Sequence, residues 1–426
     1  MSRLKLSKLW TVYVVMGVLF YWCVLHFGTV CEASSAESSF FRNRRKLAEI
    51  HRHLARINKP AVKSIKSVDG DIIDCVKSTH QLAFDHPALR NHSLQTSPVI
   101  PWPFKAEVYY SSETTKDLPP QLWRQSGQCP EGTIAIRRTS IKDVFRAGGV
   151  KRYMMKKNGV SSAPERSRPL QTQSDNGHEH AIGYMRGGMF YGAQATLNVW
   201  SPIVQAPSEF SLSQIWILAG SFNNDLNSIE AGWQVSPQLY GDGNPRLFTY
   251  WTADSYQGTG CYNLLCSGFI QTSNAIAIGA SITPLSSIGS SQYDISILIW
   301  KDPHTENWWM QFGENHLVGY WPASLFTHLA TSASMLEWGG EVVNSRPGGR
   351  HTATSMGSGQ FSEKGFAQAS YLRNIKFVDE NNVLKTPLGM RTLAEHPNCY
   401  NIQKGVNSQW GAYFYYGGPG QNADCP

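Results

Sequence analysis

The residues with the clearest chemical potential are carboxylates in strand interiors, where charge is unusual. From Ser228 to Val235 the chain alternates strictly, with Ile229, Ala231, Trp233 and Val235 on one parity and Ser228, Glu230, Gly232 and Gln234 on the other. A period of two marks a strand with one apolar face, so Glu230 points away from that face, beside a small serine and a glycine. Ser334 to Val343 repeats the arrangement: Leu336, Trp338 and Val342 share one parity, Glu337, Gly339 and Glu341 the other. Two such strands could bring carboxyls together across a groove for paired acid and base work on water and a carbonyl or acetal. Taken singly, each glutamate has a plainer account as a solvent-facing charge on an antiparallel sheet.

The elements that must position these residues are strands. From His178 onward, short apolar or alternating runs recur at 180–186, 192–200, 211–220, 226–235, 247–253, 275–281, 292–300, 306–312, 316–321, 335–343 and 371–377, nearly all separated by turn residues. Such runs with few helical patterns argue for a β-sandwich or barrel forming one domain with an ample core. The first half differs. Residues 1–170 carry 27 basic and 13 acidic side chains, against 11 and 18 in 171–426. The basic cluster from Arg42 to Lys46 continues through Arg52, Arg56 and Lys59. Basic runs suit nucleic acid or membrane surfaces, but an acidic second half is the nearer partner.

The N-terminus has the layout of a secretory signal peptide: Arg3, Lys5 and Lys8, an apolar run from Leu9 to about Leu25, then Ala33 or Ala36 at the cleavage point. Of eight cysteines, Cys23 and Cys31 lie in this leader. The other six suit disulfides in an exported chain, and local closure would join Cys75 to Cys129, Cys261 to Cys266, and Cys399 to Cys425. Asn91-His92-Ser93 is a glycosylation sequon. Residues 37 to about 67 read as a basic helix, with Leu47, Ile50, Leu54 and Ile57 at helical spacing. A small unit follows to about 157, with a strand at 133–136 and a helix over 140–157. The polar run from Asn158 to Gly177 reads as an exposed, cleavable linker.

Other residues invite chemistry less strongly. His178 and His180 share a face two residues apart, but only one further metal ligand is suggested, Glu179, so we expect no metal. Asp254 and Tyr256 follow a strand, where turn capping competes with lining a groove. Trp308 and Trp309 cannot both face inward from one strand, which offers one of them to a ligand. No nucleophile-elbow or phosphate-loop spacing occurs.

Several long motifs carry a family resemblance. SIEAGWQVSPQLYGD, FTYWTADSYQGTGCYNLLCSGFIQ, YDISILIWKDPHTENWW, VGYWPASLF, SASMLEWGGEVVN and the closing WGAYFYYGGPGQNADCP resemble the neprosin family of plant secreted glutamic peptidases. IIDCVKSTHQLAFDHPALRNH and GQCPEGTIAIRRT resemble that family's activation peptide. The resemblance implies an all-β catalytic domain, an antiparallel β-sandwich preceded by a small α+β prosegment. Together with the leader and linker read above, the expected division is a signal peptide over 1–36, a prosegment over 37–157 acting as intramolecular inhibitor, a linker over 158–177 and a peptidase domain over 178–426. The resemblance also implies acid-pH hydrolysis of peptide or protein substrates, with cleavage at proline reported in the group; Pro164 and Pro169 would then be the natural self-cleavage positions. Carried onto this chain, the catalytic pair is Glu230 and the glutamate of the Trp-Gly-Gly-Glu motif, Glu341, with Glu337 competing for the second place. Glu341 is preferred because its glycines would let substrate approach the backbone. No cofactor is needed, and nucleic acid is not expected as a partner, nor a membrane after leader cleavage. A glycoside hydrolase using the same carboxyls, or a non-catalytic wall or glycan-binding paralogue, are the other readings.

Overall fold

The computed structural model describes residues 44–99, 103–105, 121–156, 177–346 and 350–426. The expected leader, Cys23 and Cys31, and the linker with Pro164 and Pro169 (all but Gly177) lie outside the described residues. A helix, α1, covers residues 44–57. Then follow β1 (Ala61–Lys66), β2 (Ile72–Lys77), β3 (Phe104–Lys105), β4 (Thr133–Arg137), α2 (Ile141–Arg146) and α3 (Val150–Met154). The main body contains β5 (His178–Phe190), β6 (Gly192–Asn198), β7 (Ser211–Ala219), β8 (Asn227–Val235), α4 (Pro237–Tyr240), β9 (Arg246–Thr252), β10 (Ile270–Gln271), β11 (Asp294–Lys301), β12 (Trp308–Phe312) and β13 (His316–Trp321). It closes with β14 (Ala333–Val343), β15 (Ser370–Val378), β16 (Val383–Lys385), β17 (Arg391–Ala394), β18 (Asn401–Asn407) and β19 (Gly411–Gly417).

Two large sheets face each other. The six-stranded sheet runs β17-β5-β14-β7-β8-β9; the other runs β10-β13-β12-β11-β6-β15-β16-β3, with β19 on β15 and β18 on β19. Every pairing in them is antiparallel except β16 with β3. The apolar parity of β8 (Ile229, Ala231, Trp233, Val235) joins Ile215 and Ile217 of β7 and Leu336 and Trp338 of β14 in one core. Ala195 and Leu197 of β6, Ile297 and Ile299 of β11 and Phe414 of β19 complete it from the other sheet. Trp233 Nε1 donates across the interface to the Asn198 carbonyl at 3.0 Å. This is sheet-on-sheet packing with interdigitated inner faces, the expected sandwich. The opposite parity, carrying Glu230, Glu337 and Glu341, forms the outer face of the six-stranded sheet.

The segment before the linker has its own three-stranded sheet, β1-β2-β4, with α2 and α3. It packs on β10 and the loop that follows it, residues 270–282. Ile65, Ile73, Trp123 and Ala135 share a cluster with Ala277 and Ala280. Gln121 Nε2 donates to the Ala277 carbonyl at 2.7 Å while its Oε1 accepts from the Ala277 N–H at 2.8 Å. Gln81 and the Gln271 backbone exchange a similar pair of bonds at 2.9 and 2.8 Å. The three locally closed disulfides are present, Cys75–Cys129, Cys261–Cys266 and Cys399–Cys425.

Several expectations change. The helix of 37–67 is α1 within the described residues, and β1 begins at Ala61. The helix over 140–157 is two short helices parted at Gly148 and Gly149, the first with a Ser140–Asp143 capping box. Residues 275–281 are not a strand; their backbone partners are largely Gln121, Gln271 and the β9 end, not a ladder. Neither Trp308 nor Trp309 is offered to a ligand, since both are fully buried. Trp308 Nε1 donates to the Leu329 carbonyl at 2.8 Å. Trp309 stacks 4.5 Å from Tyr320, whose hydroxyl meets His92 at 2.8 Å and the Gln95 N–H at 3.1 Å. His92 and Gln95 therefore lie over the outer side of β12 and β13.

Candidate active site

β8 and β14 are both neighbours of β7, and that strand is the spacer that sets the carboxyls apart. Glu230 registers with Trp216 and Glu341 with Leu212, so Gln214 lies between them on the same face. Gly232 makes this possible. A Cβ there would fall 1.9 Å from the Ser213 carbonyl and 2.6 Å from Gln214 Cα. Gly339 likewise lets β5 close in, because a Cβ would meet the Ala181 carbonyl at 2.3 Å; one on Gly340 would strike Tyr416 and Met356 in the core. These glycines serve strand packing around the carboxyls and do not open the backbone to substrate, as the sequence had suggested.

The two carboxyls converge on a shared point. Gln214 Nε2 donates to Glu230 Oε2 at 3.2 Å and to Glu341 Oε2 at 3.5 Å. The Lys156 ammonium, just past α3, reaches the same two oxygens at 2.5 and 3.5 Å. Glu230 Oε1 accepts from Ser228 Oγ at 2.7 Å and from Tyr256 OH at 2.8 Å. Glu341 Oε1 meets His178 Nδ1 at 2.5 Å. Neither carboxyl is open to solvent: all of β8 is buried, Glu230 completely, and Glu341 is 2% exposed. The outer face is thus covered in this chain, contrary to a cleared, solvent-facing strand.

Lys156 arrives on a fixed path. The Tyr262 N–H donates to the Met154 carbonyl at 2.9 Å, and the Lys156 ammonium lies over the Tyr250 and Tyr256 rings at 5.7 and 5.9 Å. Burial alone would lower the Lys156 pKa, but Glu230 and then Glu341 outweigh it and hold the ammonium well above its usual range. Burial would raise Glu341, yet Lys156 and then the His178 bond hold it well below the usual carboxylate range. With the ammonium in place, Glu341 is drawn towards ionisation and the space between the two Oε2 atoms is filled. That arrangement can hold a cation but cannot activate water.

Glu337 lies on the same face, registered with Trp216 and Tyr184, and Lys156 does not bond to it. Burial pushes its carboxyl up to about 7. His180, directly across from Glu341, bonds Glu395 through Nδ1 at 3.1 Å and its backbone N–H at 2.8 Å. Burial opposes its charge, but Glu395 prevails and raises it to about 9. Glu179 faces the other way, to His351 at 2.7 Å, so the His-Glu-His stretch does not converge on one point. Among the described residues, the one grouping of metal-ligand atoms is His351 with Cys399 and Cys425, whose sulfurs are joined to each other. Asp254 caps its turn through the Gln257, Gly258 and Thr259 N–H groups, and that turn presents Tyr256, at φ +62, to Glu230.

Sequence reasoning missed Lys156, Gln214 and the bonds of Ser228 and His178. A glutamine beside Ser213 in the largely apolar run Leu212 to Ala219 was a usable signal. Lys156 carried none, since a basic residue after a short helix ordinarily faces water.

Comparison with known proteins gives matches over two stretches. Residues 207–419 match the family model described as Neprosin, and residues 64–184 match the Neprosin activation peptide. The second match extends through the first half of β5, inside the six-stranded sheet. Among solved structures, scytalido-glutamic peptidase with a peptide-based transition state analog is similar at 11% identity, covering 57% of this chain and 98% of that one, TM-score 0.31. SCP-B, an Eqolisin-family peptidase in complex with the tripeptide Ala-Ile-His, gives 11% identity, the same coverages and a TM-score of 0.30. With the main model spanning half the chain and the activation peptide preceding it in order, this protein belongs to the neprosin family.

Proposed function

We propose that the chain is the precursor of a secreted glutamic endopeptidase that hydrolyses peptide bonds at acidic pH through Glu230 and Glu341. The observation that carries this reading is that one ammonium and one amide each touch both carboxyls, so the pair is built around a single point. Once Lys156 is withdrawn, two close carboxyls cannot both ionise cheaply and together keep one proton. A water in the place of the ammonium gives a proton to the ionised carboxyl as its oxygen bonds to the scissile carbonyl carbon. The protonated carboxyl gives its proton to the carbonyl oxygen. Collapse breaks the C–N bond: the first carboxyl returns its proton to the leaving nitrogen, and the second recovers one from the tetrahedral hydroxyl. Gln214, still donating to both Oε2 atoms, keeps the pair aligned.

In this reading the leader ends near residue 36, residues 37–157 are the inhibitory prosegment, and a cut within 158–177 frees the peptidase of 178–426. Lys156 at the pair supports inhibition by the prosegment. The exposed Asn91 is available for glycosylation on export, and proline preference is carried over from the family resemblance. Matured protein, Glu230→Gln and Glu341→Gln should be assayed on peptides and polysaccharides from pH 2 to 7. Peptide hydrolysis lost by at least about a thousandfold in each variant supports the reading. Full activity in matured Glu230→Gln removes it, and polysaccharide cleavage by the wild type would move the pair to glycoside chemistry.

A further inference from the structure

The two carboxyls share one face through their Oε2 atoms, but their other oxygens have different neighbours. Glu341 Oε1 meets a ring nitrogen of His178, and the His180 ring stands directly across the ladder. Glu230 Oε1 meets two hydroxyls, from Ser228 and Tyr256. A hydroxyl can donate to a carboxylate or turn and accept from a carboxyl. The His180 ring, held protonated by Glu395, adds a positive charge on the Glu341 side that acts on that carboxyl.

We infer that the roles are fixed and unequal: Glu341, held by His178 and His180, is the ionised base that takes the proton from water, and Glu230, held by Ser228 and Tyr256, carries the proton given to the substrate. The inference rests on the proposed peptidase reading. His178 and His180 are positioning residues, since neither touches the reacting atoms. The groups around Glu341 bear this out element by element. β5 supplies His178 and His180, and β7 supplies the uncharged Leu212 and Gln214. β14 itself supplies Glu337, which is neutral at acidic pH because burial pushes it up to about 7. Glu395, beyond β17, is bonded to His180, which it holds protonated up to about 9. The Tyr256 and Tyr262 phenols are pushed up by burial and stay neutral. Lys156 leaves with the prosegment. The cation that remains beside the pair in the mature enzyme therefore stands on the Glu341 side. Opposite charge within a few ångströms lowers a carboxyl by roughly one to three pH units, enough to decide which of two coupled acids ionises first.

The test is the pH profile of kcat/KM for mature enzyme on one peptide substrate. The acidic limb reports the base and the alkaline limb the acid. His180→Gln and His178→Gln should each move the acidic limb up by about one pH unit, because the base loses its charge or donor partner, and leave the alkaline limb in place. Tyr256→Phe removes a donor from Glu230 and should move the alkaline limb up, leaving the acidic limb alone. Exchange of these effects, or limbs that none of the variants shifts, overturns the assignment. Should His178→Gln fail to fold, His180→Gln and Tyr256→Phe still discriminate. A wild-type mature protein without peptidase activity at any pH overturns the underlying reading itself, a result distinct from a bell-shaped profile with unmoved limbs.

Discussion

Two buried cation centres join the segment before the linker to the main body, and they differ in polarity and completeness. At one, the cation belongs to the main body: Arg246 Nη1 bonds Asp71 at 2.5 Å and the Gly279 carbonyl at 2.8 Å, and Nη2 bonds Asp242 at 2.6 Å. Arg137 meets the other Asp71 oxygen at 2.8 Å, so every charge has more than one partner. At the other, the cation belongs to the prosegment, and Lys156 stands between two carboxyls from different strands. The first is a fully bonded structural joint whose sign runs against the charge balance of the two halves. The second follows that balance, and removal of its cation leaves two like charges facing each other. A joint that survives loss of one partner holds a segment in place; one that does not is suited to release. The basic excess of residues 1–170 is therefore only part of the contact, which also includes amide exchange and apolar packing around residues 270–282.

The sharpest way to break this contrast is Lys156→Met in the precursor. Removing one partner of a buried pair costs about 3–5 kcal/mol, because the remaining charge is stranded. Here one stranded carboxyl takes up a proton, and that is the competent form. The variant precursor should show peptidase activity at pH 6 to 7 about 10²–10³-fold above the wild-type precursor, by fluorogenic peptide assay. Equal latency in the two would mean that the ammonium has no part in control.

Acidification should do the same by titration. Glu341 is held lower with Lys156 docked than by His178 and His180 alone, so its contribution to docking is present above its undocked value and is lost as pH falls below that value towards the docked one. For Asp69 burial opposes ionisation, but the Ser281 hydrogen bond and the Arg246 charge across the joint prevail and lower it, adding a contribution of the same sign. Docking should weaken by up to about tenfold per pH unit for each carboxyl that must protonate. Precursor should persist at pH 7 and convert below about pH 4, followed on gels. Glu230→Gln precursor should convert only when active enzyme is added.

The Asp71 joint should give a smaller effect. Asp71→Asn leaves Arg246 with Asp242 and the Gly279 carbonyl, so the cost should be about 1–3 kcal/mol, below that of a stranded charge. Conversion at a fixed acidic pH should accelerate by roughly tenfold, while the matured enzyme keeps its kcat/KM because Asp71 has left with the prosegment. A change in mature kcat/KM would place Asp71 outside the released piece.

What could be read in advance follows from the range of the interactions. Alternation in β8 and β14 is local, and it placed Glu230, Glu337 and Glu341 on the correct face. Local closure paired the cysteines, the longest loop spanning 54 residues. The strands β16 to β19 went unread: β18 is largely exposed and lacks an alternating apolar set, so it shows no period. Trp308 and Trp309 defeated the one-face rule because the N-terminal segment covers the outer side of β12 and β13, a contact more than two hundred residues away in sequence. Lys156 lies 74 residues from Glu230 and 185 from Glu341, a convergence that only the folded chain discloses.

Glu337→Gln should have the least effect, and it decides between the two candidates for the second carboxyl. Glu337 shares the face of Glu341 but neither Lys156 nor Gln214 bonds to it, and its carboxyl, pushed up to about 7 by burial, is neutral where the enzyme is proposed to work. A neutral glutamine of the same shape should leave kcat/KM at pH 3 to 5 within about threefold, against the thousandfold or greater loss expected for Glu341→Gln. Stability should separate them too. A carboxyl whose folded pKa is raised contributes stability that is full below its unfolded value of about 4.3 and is lost as pH rises through about 7. Matured, inactive Glu230→Gln protein should therefore lose melting temperature between pH 4.5 and 7.5, and adding Glu337→Gln should flatten that decline by about 3 °C or more. A large loss of activity in Glu337→Gln at pH 4, with an unchanged melting profile, would transfer the second catalytic place from Glu341 to Glu337.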